Sequence, residues 1–384
     1  IPTSSPRRSW TDPAFVRALS VLALLFIFLV GVKGLGDGFN LLGRDVLGAF
    51  FKATTNPFIG LIVGLLATTL VQSSSVTTTM IVGLVAAPTD PLPIANAVPM
   101  IMGANIGTTV TNTIVSLAHM GRREEFRRAF AVATCHDFFN FITVSILLPI
   151  ELFTGGLQRT ATAIASNIGH VGGVKYDNPL KEALSLALAP IKAATEAVVS
   201  GRVSAVVLML VSGVLIYIAL WLIVRVMRST MEQRVESFVT RALGRSMVLS
   251  IVVGIVATVM VQSSSITTAL LVPLAGAGVI SLRQAFPITV GANIGTTVTA
   301  LLASMAVSGP NAEAALTIAL VHLLFNFSGT LLILPAPWMR NLPLRAATAL
   351  ADVATRSRRW ALAYVVVLFY VVPAILALAN QFLW

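Results

Sequence analysis

The sequence predicts an all-α polytopic membrane protein made of two inverted repeats, each holding a re-entrant helical hairpin and a broken transmembrane helix. Three observations carry this prediction. The 384-residue chain is 56% hydrophobic and only 11% charged, whereas soluble domains usually carry about 25% charged residues. Apolar runs close to the ~20 residues needed to cross a bilayer recur along it, for instance at 203–224 and 361–379. Two polar strings also occur twice, in the same order, inside otherwise apolar sequence.

The first string is Gln72, Ser73, Ser74, Ser75, repeated as Gln262, Ser263, Ser264, Ser265. The second is Gly103-Ala104-Asn105-Ile106-Gly107-Thr108-Thr109, repeated as Gly291-Ala292-Asn293-Ile294-Gly295-Thr296-Thr297. The copies are offset by 190 residues for the Gln-Ser-Ser-Ser strings and 188 for the Asn-centred strings. The offset is 186 for the pairs His136/His322, Asn140/Asn326 and Pro149/Pro335. A shrinking offset with a constant order means one duplicated unit with small loop deletions. The repeats are 55–150 and 245–336. Around them stand an N-terminal membrane helix with a short connecting helix (1–54), an outside loop region (151–202), a linking membrane helix with an inside loop (203–244), and a basic segment with a C-terminal membrane helix (337–384).

Within each repeat the first apolar stretch, 58–71 or 247–261, is too short to span a bilayer. The serine string interrupts it, and a second short stretch returns, at 76–87 or 266–280. This pattern predicts a re-entrant hairpin with a polar tip. A longer segment follows, 94–117 or 286–305, with paired glycines around its asparagine, which predicts an unwound break. The third element starts at His136 or His322 and carries Asn140 or Asn326 one turn on.

Charge sets the topology. With non-crossing hairpins the crossings are 14–31, 94–118, 129–150, 203–224, 284–305, 314–336 and 360–380. An inside N-terminus then puts 18 of the 26 basic residues inside. The run 14–31 follows Arg7 and Arg8 as a secretory signal would, but no convincing small-residue cleavage site follows, so it is read as the first membrane helix. Three crossings separate the hairpins. That odd number inverts one repeat against the other, so the two tips enter from opposite sides.

The net charge of +11 does not mark a nucleic-acid binder, because its carriers sit in connections. No Lys or Arg lies between Lys52 and Arg122 or between Arg283 and Arg340. Cys135 is the only cysteine, which excludes an intrachain disulfide and argues against redox chemistry or a transition-metal site. The sequon at Asn326 falls in an apolar run and is a chance match. Arg122 to Arg128 read as a solvated inside loop. Cys135 reads as small packing material, Asp137 as a helix-start or packing residue, and His136 and His322 as interhelical hydrogen-bonding residues.

Neutral hydroxyl and amide oxygens suit a hard cation, and the N-terminus of a half-helix suits an anion. Ser73, Ser74, Ser75, Ser263, Ser264 and Ser265 precede the returning half-helices and would present donors to an anion. Asn105 and Asn293 would offer oxygen to a cation. Asp90 is the only ionised residue from 53 to 121, and none occurs from 246 to 282. An uncompensated ion in such surroundings costs several kcal/mol, so cations must enter with the anion, which predicts ion coupling.

These strings resemble those of the type II sodium–phosphate cotransporters. In the first half the similar segments are VQSSSVTTTMIVGLV, MGANIGTTVTNTIVSL and EEFRRAFAVATCHDFFNFITVSILLPIE. In the second they are VQSSSITTALLVPLAGAGVIS, PITVGANIGTTVTALLAS and ALVHLLFNFSGTLLILPAP. Together they cover well over half the chain. The resemblance implies a secondary transporter, not an enzyme, that imports inorganic phosphate with Na⁺ by alternating access across the cell membrane, with no cofactor besides the coupling ion. It places phosphate on the six serines and Na⁺ on Gln72, Asn105, Thr108, Gln262, Asn293, Thr296 and Thr297, with His136, Asn140, His322 and Asn326 in support. A single cysteine and a short 151–202 region point to a bacterial member. Ala104 and Ala292 stand where members often have Ser, which leaves only backbone there. Inorganic phosphate, Na⁺ and the bilayer are the expected partners, and a homodimer is compatible with the sequence. Another oxyanion on the same scaffold is the main rival. A Ser–His136–Asp137 hydrolase is disfavoured because the serines are duplicated and the aspartate is not.

Overall fold

A computed structural model describes residues 13–42, 54–88, 90–171, 179–199, 201–242, 246–307 and 309–383. Among these residues every regular element is helical. The predicted short connecting helix before residue 54, Arg7 and Arg8 lie outside them.

Helix α1 (Pro13–Leu42) precedes the first repeat, which holds α2 (Pro57–Val71), α3 (Ser74–Val85), α4 (Ile94–Thr108), α5 (Val110–Leu117) and α6 (Arg123–Thr154). Next come α7 (Gly156–Val171), α8 (Pro179–Val198) and α9 (Arg202–Ala242). The second repeat holds α10 (Met247–Val261), α11 (Ser264–Gly276), α12 (Leu282–Met305) and α13 (Ala312–Ile333). The chain closes with α14 (Pro337–Arg356), α15 (Arg358–Val366), a π-helical turn (Val367–Val371) and α16 (Val372–Leu383).

Five helical segments among the described residues are long and apolar enough to cross a membrane: Arg123–Thr154, Arg202–Leu220, Leu282–Met305, Ala312–Ile333 and Arg358–Leu378. The protein is therefore an α-helical, multi-pass membrane protein. These segments coincide with five of the seven predicted crossings. A sixth falls in α1, whose apolar part is Leu19–Leu35, and the seventh is divided at Thr109 into α4 and α5. The helices flanking the serine strings have 15, 12, 15 and 13 residues. At 1.5 Å per residue the longest reaches about 22 Å, short of a ~30 Å hydrocarbon core.

The glycines of the Asn-centred strings do not unwind the chain. In the second repeat α12 runs unbroken through Gly291 and Gly295. In the first, the only interruption is Thr109, which itself keeps right-handed helical angles (φ −76°, ψ −22°). The reason is packing. A Cβ on Gly64 would collide with the Met100 backbone, one on Gly103 with the Leu61 carbonyl, and one on Gly107 with Thr68 and the Leu65 carbonyl. The repeat mates Gly254, Gly291 and Gly295 meet Ile288, Ile251 and Ile255 in the same way. Each string is thus a small-xxx-small seam that brings α4 onto α2, or α12 onto α10, at backbone contact.

Pairing between the repeats is crossed. Helix α3 packs on α12 and α13, while α11 packs on α5 and α6. The far ends of the returning helices are clipped by the opposite repeat. Arg128 of α6 donates Nε to the Gly276 carbonyl at 3.0 Å and Nη2 to the same oxygen at 2.7 Å, closing the end of α11. Asn311, ahead of α13, donates Nδ2 to the Ala87 carbonyl at 2.5 Å, just past the end of α3. The basic run at 122–128, predicted as a solvated loop, is exposed at Arg122, Arg123, Glu124 and Arg128 but is helical and tied to other elements. Helix α6 starts at Arg123, and Arg127 pairs with Asp352 of α14 at 2.5 Å.

Replacing Gly291 with Ala forces the α10 backbone away from α12, an overpacking expected to cost about 1–3 kcal/mol. The thermal midpoint of purified G291A should fall by several degrees, and an unchanged midpoint would show that the seam is not tight.

Candidate functional site

Each serine string forms the turn between two helices. Gln72 ends α2 with φ 57° and Gln262 ends α10 with φ 53°, both left-handed. Glycine is the usual residue there, because a Cβ in this conformation costs roughly 1–2 kcal/mol. The same non-glycine exception in both copies means that the side chain is needed. Its amide caps its own helix: Gln72 Nε2 donates to the Thr69 carbonyl at 2.5 Å, and Gln262 Nε2 to Val259 at 2.7 Å. The amide oxygens face onward. Gln72 Oε1 accepts from Thr111 at 3.0 Å, and Gln262 Oε1 has no partner among the described residues.

Ser73 and Ser263 are the N-caps of α3 and α11. Their hydroxyl oxygens accept from Val76 N–H at 3.3 Å and Ile266 N–H at 3.4 Å, and their own hydroxyl protons stay available. The next residues, Ser74 and Ser264, are buried and open the helices. First-turn N–H groups have no intrahelical acceptor and form the positive end of the helix dipole.

The two tips meet. Gln72, Ser73, Ser74, Ser75, Gln262, Ser263, Ser264 and Ser265 all line one cavity of about 170 Å³, with Tyr217 and Leu220 of α9 closing a side. No charged side chain lines it. Two positive helix ends, six hydroxyls and two amides thus converge on one small space, a donor-rich environment suited to an oxyanion.

The asparagines lie in a second polar group linked to that tip. Thr268, one turn into α11, donates to Asn112 Oδ1 at 2.9 Å, and Asn112 Nδ2 lies 3.5 Å from His136 Nδ1. His136 Nε2 lies 2.8 Å from Asn293 Oδ1, Asn293 Nδ2 donates to Asn140 Oδ1 at 2.8 Å, and Asn140 Nδ2 donates to the Asn105 carbonyl at 2.7 Å. With donors ordered this way, the His136 proton sits on Nε2. Asn326 Nδ2 donates to Asn105 Oδ1 at 3.0 Å. The links Asn293–Asn140 and Asn105–Asn326 are the same residue pairing made twice with the donor reversed, each joining one repeat to the other. Asn105 and Asn293 are therefore not free oxygens on unwound backbone; interhelical partners already use them. His322 is buried like its mate, but its Nδ1 has no partner.

Thr108, Thr296 and Thr297 are not brought to the cavity. Their hydroxyls donate back to the carbonyls of Ala104, Ala292 and Ile294 at 2.9, 3.0 and 2.7 Å.

Further polar residues lack polar repeat mates; pattern reading gave Asp137 only a helix-start or packing role and passed over the others. Asp137 is fully buried in the interior of α6, not at a helix start. Its Oδ2 accepts from Tyr364 at 2.7 Å and Thr113 at 3.3 Å, while Oδ1 has no partner. The second repeat has Ala300, Leu301 and Leu323 where the first has Asn112, Thr113 and Asp137. Tyr370 reaches the first tip from the π-helical turn, accepting from Gln72 Nε2 at 3.2 Å.

Comparison with known proteins identifies the family. A family described as Na⁺/Pi-cotransporter matches residues 27–169 and 215–341. The bovine sodium-dependent phosphate transport protein 2B is 32% identical over 92% of this chain and 63% of its own length. The human 2B protein is 31% identical over 93% and 64%, and the rat 2A protein 33% over 97% and 69%. The chain thus spans just under two thirds of the length of these 2B relatives. No solved structure matches it. With the family match covering both serine strings, both Asn-centred strings and the helices that carry them, the chain belongs to the Na⁺/Pi-cotransporter family.

Proposed function

We propose that the protein is a sodium-coupled secondary active transporter that imports inorganic phosphate across the cell membrane by alternating access. The observation that carries this reading is the joint lining of one uncharged cavity by both serine tips. Phosphate fits the serines and free N–H groups at the two helix starts. Its name is also carried by the relatives, which are sodium-dependent phosphate transport proteins.

The units 55–150 and 245–336 act as repeats inverted across the membrane, with α2–α3 and α10–α11 as re-entrant hairpins. Support comes from the short helix lengths, the odd number of predicted crossings between the hairpins, and the crossed asparagine pairs. A site at the boundary of two such halves opens to either side when one half rocks against the other.

Charge balance calls for the cation. Phosphate brings negative charge into a cavity with no fixed positive side chain, and Asp137 adds a buried carboxylate with one free oxygen. Both favour Na⁺ bound beside them. The Gln72 and Gln262 amide oxygens, close to the phosphate donors, and Asp137 with the hydroxyls of Thr113 and Tyr364 are the groups best placed to hold it. Asn105 and Asn293, with Asn140, Asn326 and His136, hold the two halves in register around the ions; they become ligands only if the interhelical amide pairs open. Thr108, Thr296 and Thr297 support the helices that carry those asparagines. Each net positive charge carried inward adds about 2.3 kcal/mol per 100 mV of membrane potential to the driving force.

In proteoliposomes, uptake of ³²P-phosphate should require Na⁺, and S74A and S264A should each abolish it; Na⁺-independent uptake, or intact uptake in both variants, would overturn the reading. Excess sulfate or a dicarboxylate should not compete. Q262G removes a strained residue and one capping hydrogen bond, each about 1 kcal/mol and opposite in sign. Its thermal midpoint should therefore stay close to the parent's while uptake falls at least tenfold, and a matched loss of both would assign the side chain to stability alone. D137N should raise the Na⁺ concentration for half-maximal uptake about tenfold or more, and an unaltered Na⁺ dependence would remove Asp137 from the cation path.

A further inference from the structure

Away from the serine cavity, one face of the protein holds a second concave site. Two adjoining lobes, of about 260 and 520 Å³, lie between the starts of α10 and α12 and one side of α14. Arg283, Asn341 and Leu344 border both lobes; Arg340 lines the first and Arg345 the second. No acidic residue lines the first lobe. The second has Asp352 alone, whose carboxylate is already paired with Arg127 at 2.5 Å.

The three arginines have little to neutralise them within the protein. Arg340 is half-buried, and its Nη1 lies 3.4 Å from the Met247 sulfur, a weak acceptor. Arg283 and Arg345 are exposed and make no ion pair among the described residues. Ser246, the cap of α10, lines the same space, and α12 begins there with Ser281 and Gln284. Two positive helix ends therefore add to three guanidinium groups. The chemistry selects an anion with several acceptor oxygens, and guanidinium is matched to phosphate esters.

Its place relative to the membrane identifies the carrier of that anion. The spanning segment Leu282–Met305 starts at this cleft, Ala312–Ile333 ends next to α14, and Arg358–Leu378 starts beyond it. Helix α14 thus runs between two membrane spans. It buries Leu344, Ala347, Ala351 and Ala354 in the protein and leaves Trp338 70% exposed and Leu342 42% exposed. Trp360 opens the next span, 60% exposed. An amphipathic helix flanked by exposed tryptophans belongs at the level of the lipid headgroups. A basic pocket between helices at that level takes the headgroup of an acidic phospholipid.

We propose that the cleft formed by Arg283, Arg340, Arg345 and Asn341 is a binding site for the phosphodiester headgroup of an anionic phospholipid. Bound there, the lipid ties α14 to the starts of α10 and α12, and so to the base of the second hairpin. Free inorganic phosphate shares the chemistry but would not need the flanking apolar surface.

The test is native mass spectrometry of the purified, delipidated protein titrated with phosphatidylglycerol or phosphatidylcholine, with and without millimolar inorganic phosphate. Phosphatidylglycerol should bind more tightly, by about fivefold for each contributing arginine. That preference should fall to near unity in R283Q/R340Q/R345Q and persist in R358Q/R359Q, whose charges are near the same surface but outside the cleft. Size-exclusion profiles matching the parent show that the triple variant is folded; should it misfold, R345Q alone, an exposed change, is expected to lose about fivefold. Equal binding of the two lipids, or an unchanged preference in the folded triple variant or in R345Q, would overturn the proposal. Displacement of phosphatidylglycerol by millimolar phosphate would also overturn it, assigning the cleft to the free ion.

Discussion

A helix that ends inside a low-dielectric core must have its terminal N–H and C=O groups satisfied, and the rest of the structure is arranged around that demand. Four helix ends meet at the serine tips. The glutamine amides take one carbonyl each, and the capping serines take one N–H each. What they leave unsatisfied is a set of donors facing one cavity. The residual polarity that makes the ends costly in an apolar setting is also what can receive an anion. The glycine seams serve this arrangement. By letting α4 and α12 touch the backbones of α2 and α10, they fix the hairpin arms against a longer helix so that the tips cannot drift apart.

Much of this was legible in the sequence, because duplication works as an internal control. A polar string in an apolar run has many explanations, but the same string twice, with its neighbours in order, selects a shared role; that reasoning found the eight tip residues and the asparagine pairs. The glycines were misread for a physical reason. From sequence, glycine reports backbone freedom and close approach equally well, and only the partner helix distinguishes them. Here Met100 and Leu61 show that approach is the operative property. The run 122–128 is exposed as its charge suggests, but charge density does not reveal that Arg127 and Arg128 also reach partners more than a hundred residues away.

The same control hides whatever is not duplicated. Asp137, Asn112 and Thr113 have apolar mates, and Tyr217, Tyr364 and Tyr370 come from helices outside the repeats. Comparing halves marks such residues only as mismatches, as Asp137 against Leu323, and gives them no shared role. The active protein is a symmetric frame to which one repeat and the flanking helices add unsymmetrical polar groups. The serine tips belong to the frame, and the buried carboxylate of Asp137 belongs to the additions.

The crossed clips also bear on how the chain is made. Asn311, which closes the end of the first hairpin, lies 224 residues after its acceptor at Ala87. At roughly 5–20 residues per second of synthesis, that hairpin waits about 10–45 s for its partner. During this interval its polar tip and unclosed carbonyls sit in or beside the bilayer without the second repeat. The second hairpin meets a clip that already exists, since Arg128 precedes Gly276 by 148 residues. Two halves of common design therefore face different hazards during biogenesis, and the first-made half is the one that depends on being held until its partner arrives.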